Sequence, residues 1–258
     1  MEMLVVGAGE MGRWIARTVG TAVAFADVDE GAARAAAEAV GGRPVPTDTG
    51  ETFDVVCLAV PMSTVTEAVA AYAPNADRGV IDVSGVMEAP LAAMRTHLPE
   101  RERASLHPLF APDNAPGNVA VVADAPGPAV ESVLDSLRAA GNDLFETTAA
   151  EHDEAMETVQ AGAHAAVLAY ALAAADVRDE FATPVSSTLD DLVETVTDGS
   201  PQVYREIQEI FPGADRVADA AASVAEADGA EFDALYRAAG EDESADGDAE
   251  DDPGPGGA

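Results

Sequence analysis

The chain has 258 residues and a formal net charge of −35, from 48 acidic against 13 basic side chains, and every one of those bases is an arginine. So acidic a surface repels nucleic acid and anionic membranes, which excludes both as partners. A single cysteine, Cys57, excludes an internal disulfide, and a hydrophobic fraction of 48% supplies a core for one large domain or two small ones.

The first predicted element is an apolar strand over residues 3–6, which runs straight into Gly7-Ala8-Gly9-Glu10-Met11-Gly12 and a helix reaching residue 19. A second strand, 22–26, ends at Asp27, 20 positions after Gly7. Strand, glycine turn, helix and acid at that spacing point to dinucleotide binding. Gly7 permits the tight turn, Gly9 lets the backbone approach a pyrophosphate, and Gly12 lets the helix pack on the strand. The helix start offers free N–H groups to the phosphates, and Asp27 is placed for a ribose. A glycine turn in some other α/β domain is the competing reading.

The alternation continues. An alanine-rich helix over 30–40 precedes a short strand at 43–45. The run 55–60 is apolar throughout, as a parallel strand covered on both faces should be. It contains Cys57, read as a small buried hydrophobe, and Pro61 ends it. Helix 64–72, strand 79–83, helix 88–97, short strands 104–106 and 119–123, helix 127–140 and strand 143–147 come next. This succession predicts a Rossmann-type, doubly wound parallel sheet over residues 1–149.

From residue 150 strand signals vanish, which predicts α/β followed by an all-helical part. One long helix is expected over 151–181, buried nearly all round in its second half. Shorter helices are expected at 184–197, 201–211, 214–227 and 231–239. This segment, 150–240, is too small to bury much core alone, so it should pack on the first domain, on a partner subunit, or on both. Residues 241–258 are acids, Gly, Ser and Pro and read as a disordered tail.

Four groups could carry chemistry. Asp82-Val83-Ser84-Gly85 lies at the carboxyl end of the fifth strand, where ligands collect in open α/β sheets, so Ser84 is either a site residue or a turn cap. His107 precedes Pro108 in Leu106-His107-Pro108-Leu109-Phe110-Ala111-Pro112 and is held in a stiff loop, as a general base or as a structural histidine. Gln160 and His164, four apart on one helix face, are candidate substrate contacts or satisfied core groups; His152 is expected at the surface or as a cap. Arg205, beside Tyr204, suits a carboxylate, or else pairs with Glu209. No metal-ligand spacing is visible.

Together these residues resemble the prephenate dehydrogenase family. The His107–Pro112 segment is similar to the family's His-Pro-Met-Phe-Gly-Pro hallmark, with Leu109 and Ala111 as departures. Ser84 matches its fifth-strand serine. Gln160-Ala161-Gly162-Ala163-His164 resembles its long-helix histidine motif, with Ala161 where many members carry another histidine, and Val203-Tyr204-Arg205-Glu206-Ile207 resembles its substrate-arginine helix. The resemblance implies a Rossmann domain with a helical dimerisation domain and a homodimer. It implies NAD-dependent oxidative decarboxylation of prephenate, or of arogenate, with His107 as base, Ser84 orienting it, and Arg205, His164 and Gln160 on the substrate. Glu10, Met11, Val60 and Pro61 join Gly7, Gly9, Gly12 and Asp27 as cofactor contacts.

Asp27 favours NAD, although Arg34 leaves NADP open. Other readings are a two-domain hydroxyacid dehydrogenase or imine reductase, the former disfavoured by the absence of lysine, and an NAD-sensing regulatory protein. A chain that enters its first strand at once leaves no room for a signal peptide, so a soluble cytoplasmic protein is expected. Acidity without lysine resembles proteins of a high-salt cytoplasm and predicts loss of structure or activity below molar salt.

Overall fold

The computed structural model describes residues 1–240; the expected acidic tail lies outside them. The strands are β1 (Glu2–Val6), β2 (Ala22–Ala26), β3 (Arg43–Pro44), β4 (Phe53–Leu58), β5 (Ala76–Asp82), β6 (Glu102–Pro108), β7 (Asn118–Ala125) and β8 (Asp143–Glu146). They form one sheet in the order β3-β2-β1-β4-β5-β6-β7-β8. The helices α1 (Glu10–Val19), α2 (Glu30–Val40), α3 (Val65–Tyr72), α4 (Glu88–His97) and α5 (Pro128–Ala139) cross between strands. Apolar side chains from both faces of the sheet pack into two hydrophobic clusters under these helices. Residues 3–5 and 55–58 are fully buried, which is why those strands are apolar without alternation.

The sheet is not parallel throughout, as the sequence led us to expect. β6 pairs antiparallel with β7, and β7 pairs parallel with β8, so the last two strands run opposite to the first six. The reason lies in the link between β6 and β7. It spans residues 109–117, too short for the crossover helix that a parallel neighbour requires.

The order reverses at β1, which has β2 on one side and β4 on the other. A crevice therefore opens beyond the carboxyl ends of β1 and β4, the topological switch point where open α/β sheets bind ligands. β4 ends at Leu58 and not at Val60. Ala59 still donates its N–H to Val6 O, and Val60 and Pro61 then turn along the crevice.

The long helix expected over 151–181 is interrupted and shorter. α6 (Ala149–Met156) passes into a π-helical stretch, Glu157–Gly162, and then α7 (Ala163–Ala173), after which Ala174 is extended. Packing from α9 (Pro201–Ile210) and from the turn at its end accounts for the π stretch. Gln208 donates to Ala161 O at 2.9 Å, and Gly213 lies so close that a Cβ there would be 2.1 Å from Glu157 O. Nor is α7 enclosed; it buries no residue, and Leu172 is 88% exposed. Its neighbour is α8 (Pro184–Thr197), joined to it by Tyr170 Oη–H donating to Asp190.

Among the described residues two compact units emerge, Met1–Gly213 and residues 214–240. The helices from Ala149 to Ile210 fall in the same unit as the sheet. The second unit contains α10 (Gly213–Glu226), apart from its first residue, and α11 (Gly229–Ala238). No helix among the described residues is long and apolar enough to cross a membrane.

Candidate active site

The glycine turn after β1 is shaped by its neighbours. Gly7 has φ +98°, and a Cβ on it would stand 2.2 Å from Ala59 O, so both backbone conformation and space demand glycine. At Gly12 a Cβ would stand 1.9 Å from Gly7 O; its absence brings α1 down onto the turn. Gly9 is different. A Cβ there meets nothing within 4 Å, and Gly9 and Glu10 are exposed while Met11 is half-buried.

Gly9 caps α1 without any side-chain hydrogen bond, which leaves the first helical N–H groups unclaimed at the positive end of the helix. Asp27 accepts from Ala8 N–H at 2.7 Å and from Asp29 N–H at 2.9 Å. A carboxylate has about four acceptor positions, so Asp27 both braces the turn and keeps capacity for a ribose hydroxyl. An open cradle, orphan donors and a half-exposed acid fit a dinucleotide. Val60 and Pro61 border it, Val60 half-buried and Pro61 exposed.

At the end of β5, Ser84 is turned inward. Its Oγ lies 2.5 Å from Asp82 Oδ1 and 2.9 Å from Val86 O. One hydroxyl proton cannot serve two acceptors, so both of these contacts are hydrogen bonds when Asp82 is protonated and donates to Ser84, which donates to Val86. Burial pushes Asp82 up to about 7, against hydrogen bonds that lower it. The neutral acid's contribution to stability is complete below the unfolded value near 3.8 and is lost as pH rises through about 7. Asp82→Asn should therefore raise Tm above the parent's at about pH 8, by roughly 2–4 °C per kcal/mol, and lose this advantage towards about pH 4. Thermal melts at both pH values check it.

His107 sits near the end of β6, 7% exposed. Its Nε2 is 3.6 Å from where a Cβ on Gly85 would be, with Met62 Sδ at 2.8 Å, so the loops after β4 and β5 converge on this ring. His107 Nδ1 lies 2.8 Å from His152 Nε2, and His152 Nδ1 lies 2.7 Å from Asp153 Oδ1. Asp153 in turn accepts the N–H groups of Met87 and Glu88 at the start of α4, at 2.9 and 3.0 Å. Burial first, and the neighbouring His152 second, push His107 down to about 3, so its ring is neutral at pH 7. Burial works against ionisation of Asp153, but the bonds from His152, Glu88 and Met87 prevail and hold it below the usual range.

The sequence reading of His152 as a surface or capping residue is overturned. It is 3% exposed and bonded directly to His107. The antiparallel turn at β6 and the approach of α6 to α4 decide this, and sequence separation conceals it. The one available signal was the dipeptide His152-Asp153, a histidine beside a carboxylate. Asp82, named with Ser84 in its segment, was given no role of its own.

Gln160, on the π stretch, places its Nε2 3.4 Å from His107 Nε2. A π-bulge often marks a functional position in a helix, and here it swings Gln160 towards the imidazole while Gln160 Oε1 stays buried without a partner. His164 stacks edge-on against Tyr204, with ring centroids 4.7 Å apart, and its buried Nδ1 has no partner. Burial lowers its basicity. Arg205 is not brought into this cluster. It is 66% exposed and lies 3.9 Å from Glu209, because its position on α9 faces solvent. The α9 residue that does turn inward is Glu206, buried and bonded to Ser63 and Gln202.

Residues 12–123 match the model of the prephenate dehydrogenase nucleotide-binding domain. The 4-amino-4-deoxyprephenate dehydrogenase of Streptomyces pristinaespiralis is 32% identical over 234 residues, covering 82% of this chain and 78% of that protein. Among solved structures, prephenate dehydrogenase from Aquifex aeolicus superposes with a TM-score of 0.71 at 16% identity, over 93% of this chain and 92% of the other. Synechocystis arogenate dehydrogenase does so with a TM-score of 0.62 at 17% identity, over 93% and 98%. With a glycine cradle at the switch point, a buried histidine at the end of β6 and a relative 32% identical over most of its length, the chain belongs to the prephenate dehydrogenase family.

Proposed function

We propose that this protein oxidises and decarboxylates prephenate to 4-hydroxyphenylpyruvate with NAD. The observation that carries this reading is the neutral, buried His107, whose Nε2 faces the loops after β4 and β5. His107 takes the proton from the ring 4-hydroxyl, and Ser84, just beyond β5, orients the reacting group. Bound NAD supplies the hydride acceptor. Loss of CO₂ from the opposite ring carbon then releases aromatic stabilisation, which makes the reaction irreversible.

Gln160 and His164 are the substrate contacts in this reading. Arg205 reaches a substrate carboxylate only by leaving Glu209 and turning inward. Asp27, with Asp29 and Glu30 beside it, favours NAD over NADP, whose extra phosphate would meet carboxylates. Residues 150–240 serve substrate binding and dimerisation. Exposed Leu172, Phe181, Val185 and Val203 on the helical segment support a second copy as its partner. The lysine-free, acidic composition supports a cytoplasm rich in salt as its setting.

A second reading takes a cyclohexadiene with an amino group in place of the 4-hydroxyl, and the 32% identical Streptomyces relative supports it. NADH formation in molar KCl with prephenate, arogenate and 4-amino-4-deoxyprephenate tests both. Prephenate should give the highest kcat/KM. A higher value with the amino compound would move the assignment to the second reading, and turnover of none of the three would remove it from this chemistry.

A further inference from the structure

When both rings are neutral, the hydrogen-bond chain behind His107 admits one arrangement of protons. Asp153, held ionised by two backbone N–H groups, can only accept. In that arrangement His152 carries its proton on Nδ1, which leaves its lone pair on Nε2. That lone pair, 2.8 Å away, requires the proton of His107 on Nδ1. His107 Nε2 is then the bare nitrogen, and Gln160 Nε2, a donor, lies opposite it at 3.4 Å.

We propose that His152 holds the substrate's proton during the reaction, receiving it through the His107 ring and stabilised there by Asp153. This rests on His107 being the base. The substrate O–H bond breaks, its electron pair stays with oxygen, and a new N–H bond forms at His107 Nε2. The His107 Nδ1–H bond breaks in turn, and that proton joins His152 Nε2. His107 ends neutral in its other tautomer, and the positive charge lies on His152 beside a carboxylate 2.7 Å away. Burial makes a proton left on His107 itself costly. His152 and Asp153 touch neither substrate nor cofactor, so they are positioning residues.

The charged groups around the pair are few. Asp153 acts on His107 and on Asp82, and Glu88, which lends its N–H to Asp153, keeps its side chain exposed. The test uses the full chain in molar KCl, comparing Asp153→Asn and His152→Gln with His107→Asn. Asp153→Asn should lower kcat by about 10²-fold or more and leave KM for NAD unchanged. The acid limb of its kcat/KM profile should move to lower pH, because the protonated pair has lost its carboxylate. A merely structural role would lower activity equally at every pH, so an unmoved limb, or parental kcat in both variants, overturns the proposal. Should the variants misfold, long-range ¹H–¹⁵N spectra of the imidazoles in the parent protein decide: protons on Nδ1 of both rings are expected, and an Nε2–H tautomer at His107 overturns it. Parental turnover in His107→Asn would instead sink the assignment of the base.

Discussion

His107→Asn should cut kcat by about 10²–10⁴-fold, the usual worth of general-base assistance, while NAD binds as before. Asparagine can keep a hydrogen bond towards His152 through its amide, so the buried chain of polar groups is not simply orphaned. What disappears is the bare Nε2 facing Gln160, on the imidazole set beside the loops after β4 and β5. The ring is neutral well below pH 7, so parental activity should not fail through protonation of free His107 near neutrality. Steady-state rates with the preferred substrate and a fluorescence titration with NADH separate the two effects. Unchanged kcat would remove His107 from the reaction; unchanged kcat with weakened NADH binding would make it a cofactor contact.

The second large effect divides two glycines of one turn. Gly12→Ala places a Cβ 1.9 Å from a backbone oxygen, Gly7 O, which no side-chain adjustment can relieve. Overpacking of this kind costs about 1–3 kcal/mol or more, so Tm should fall together with NAD affinity. Gly9→Ala meets nothing within 4 Å, and its φ of −69° suits alanine. Its Tm should stay that of the parent, yet its Cβ takes space that only a ligand would use, and NAD affinity should fall about tenfold, or 1.4 kcal/mol. Parallel melting curves and NADH titrations check the pair. Parental affinity in Gly9→Ala would place the pyrophosphate elsewhere.

The two glycines also illustrate how far the sequence could be read. Gly7, Gly9 and Gly12 were legible because each answers a local demand, a positive φ, an open approach or a close helix contact. The helices over Glu30–Val40 and Pro184–Thr197 lie where capping residues put them. Asp29 and Thr183 cap these two by accepting backbone N–H groups. His107 could be singled out because a proline comes after it and a short strand before it.

Other features were hidden because they depend on distant parts of the chain. The reversal of β7 depends on which edge the chain returns to, and strand periodicity is identical in either direction. The π stretch at Glu157–Gly162 arises from Gln208 and Gly213, some fifty residues on, pressing against a helix whose own sequence is ordinary. Arg205 and Glu206 are adjacent on α9, yet one faces solvent and the other is buried; no residue type announces which.

By itself, the sequence determined a nucleotide-binding sheet, its glycine cradle, an acidic surface and a histidine worth suspecting, because each of these is written in neighbouring residues. Only the tertiary structure decided that the histidine has a second one behind it, a carboxylate behind that and a helix N-terminus behind the carboxylate. Those partners come from separate elements, 45 residues apart in the case of the two rings. A hydrogen bond depends on distance and angle in space, which packing sets and spacing along the chain does not.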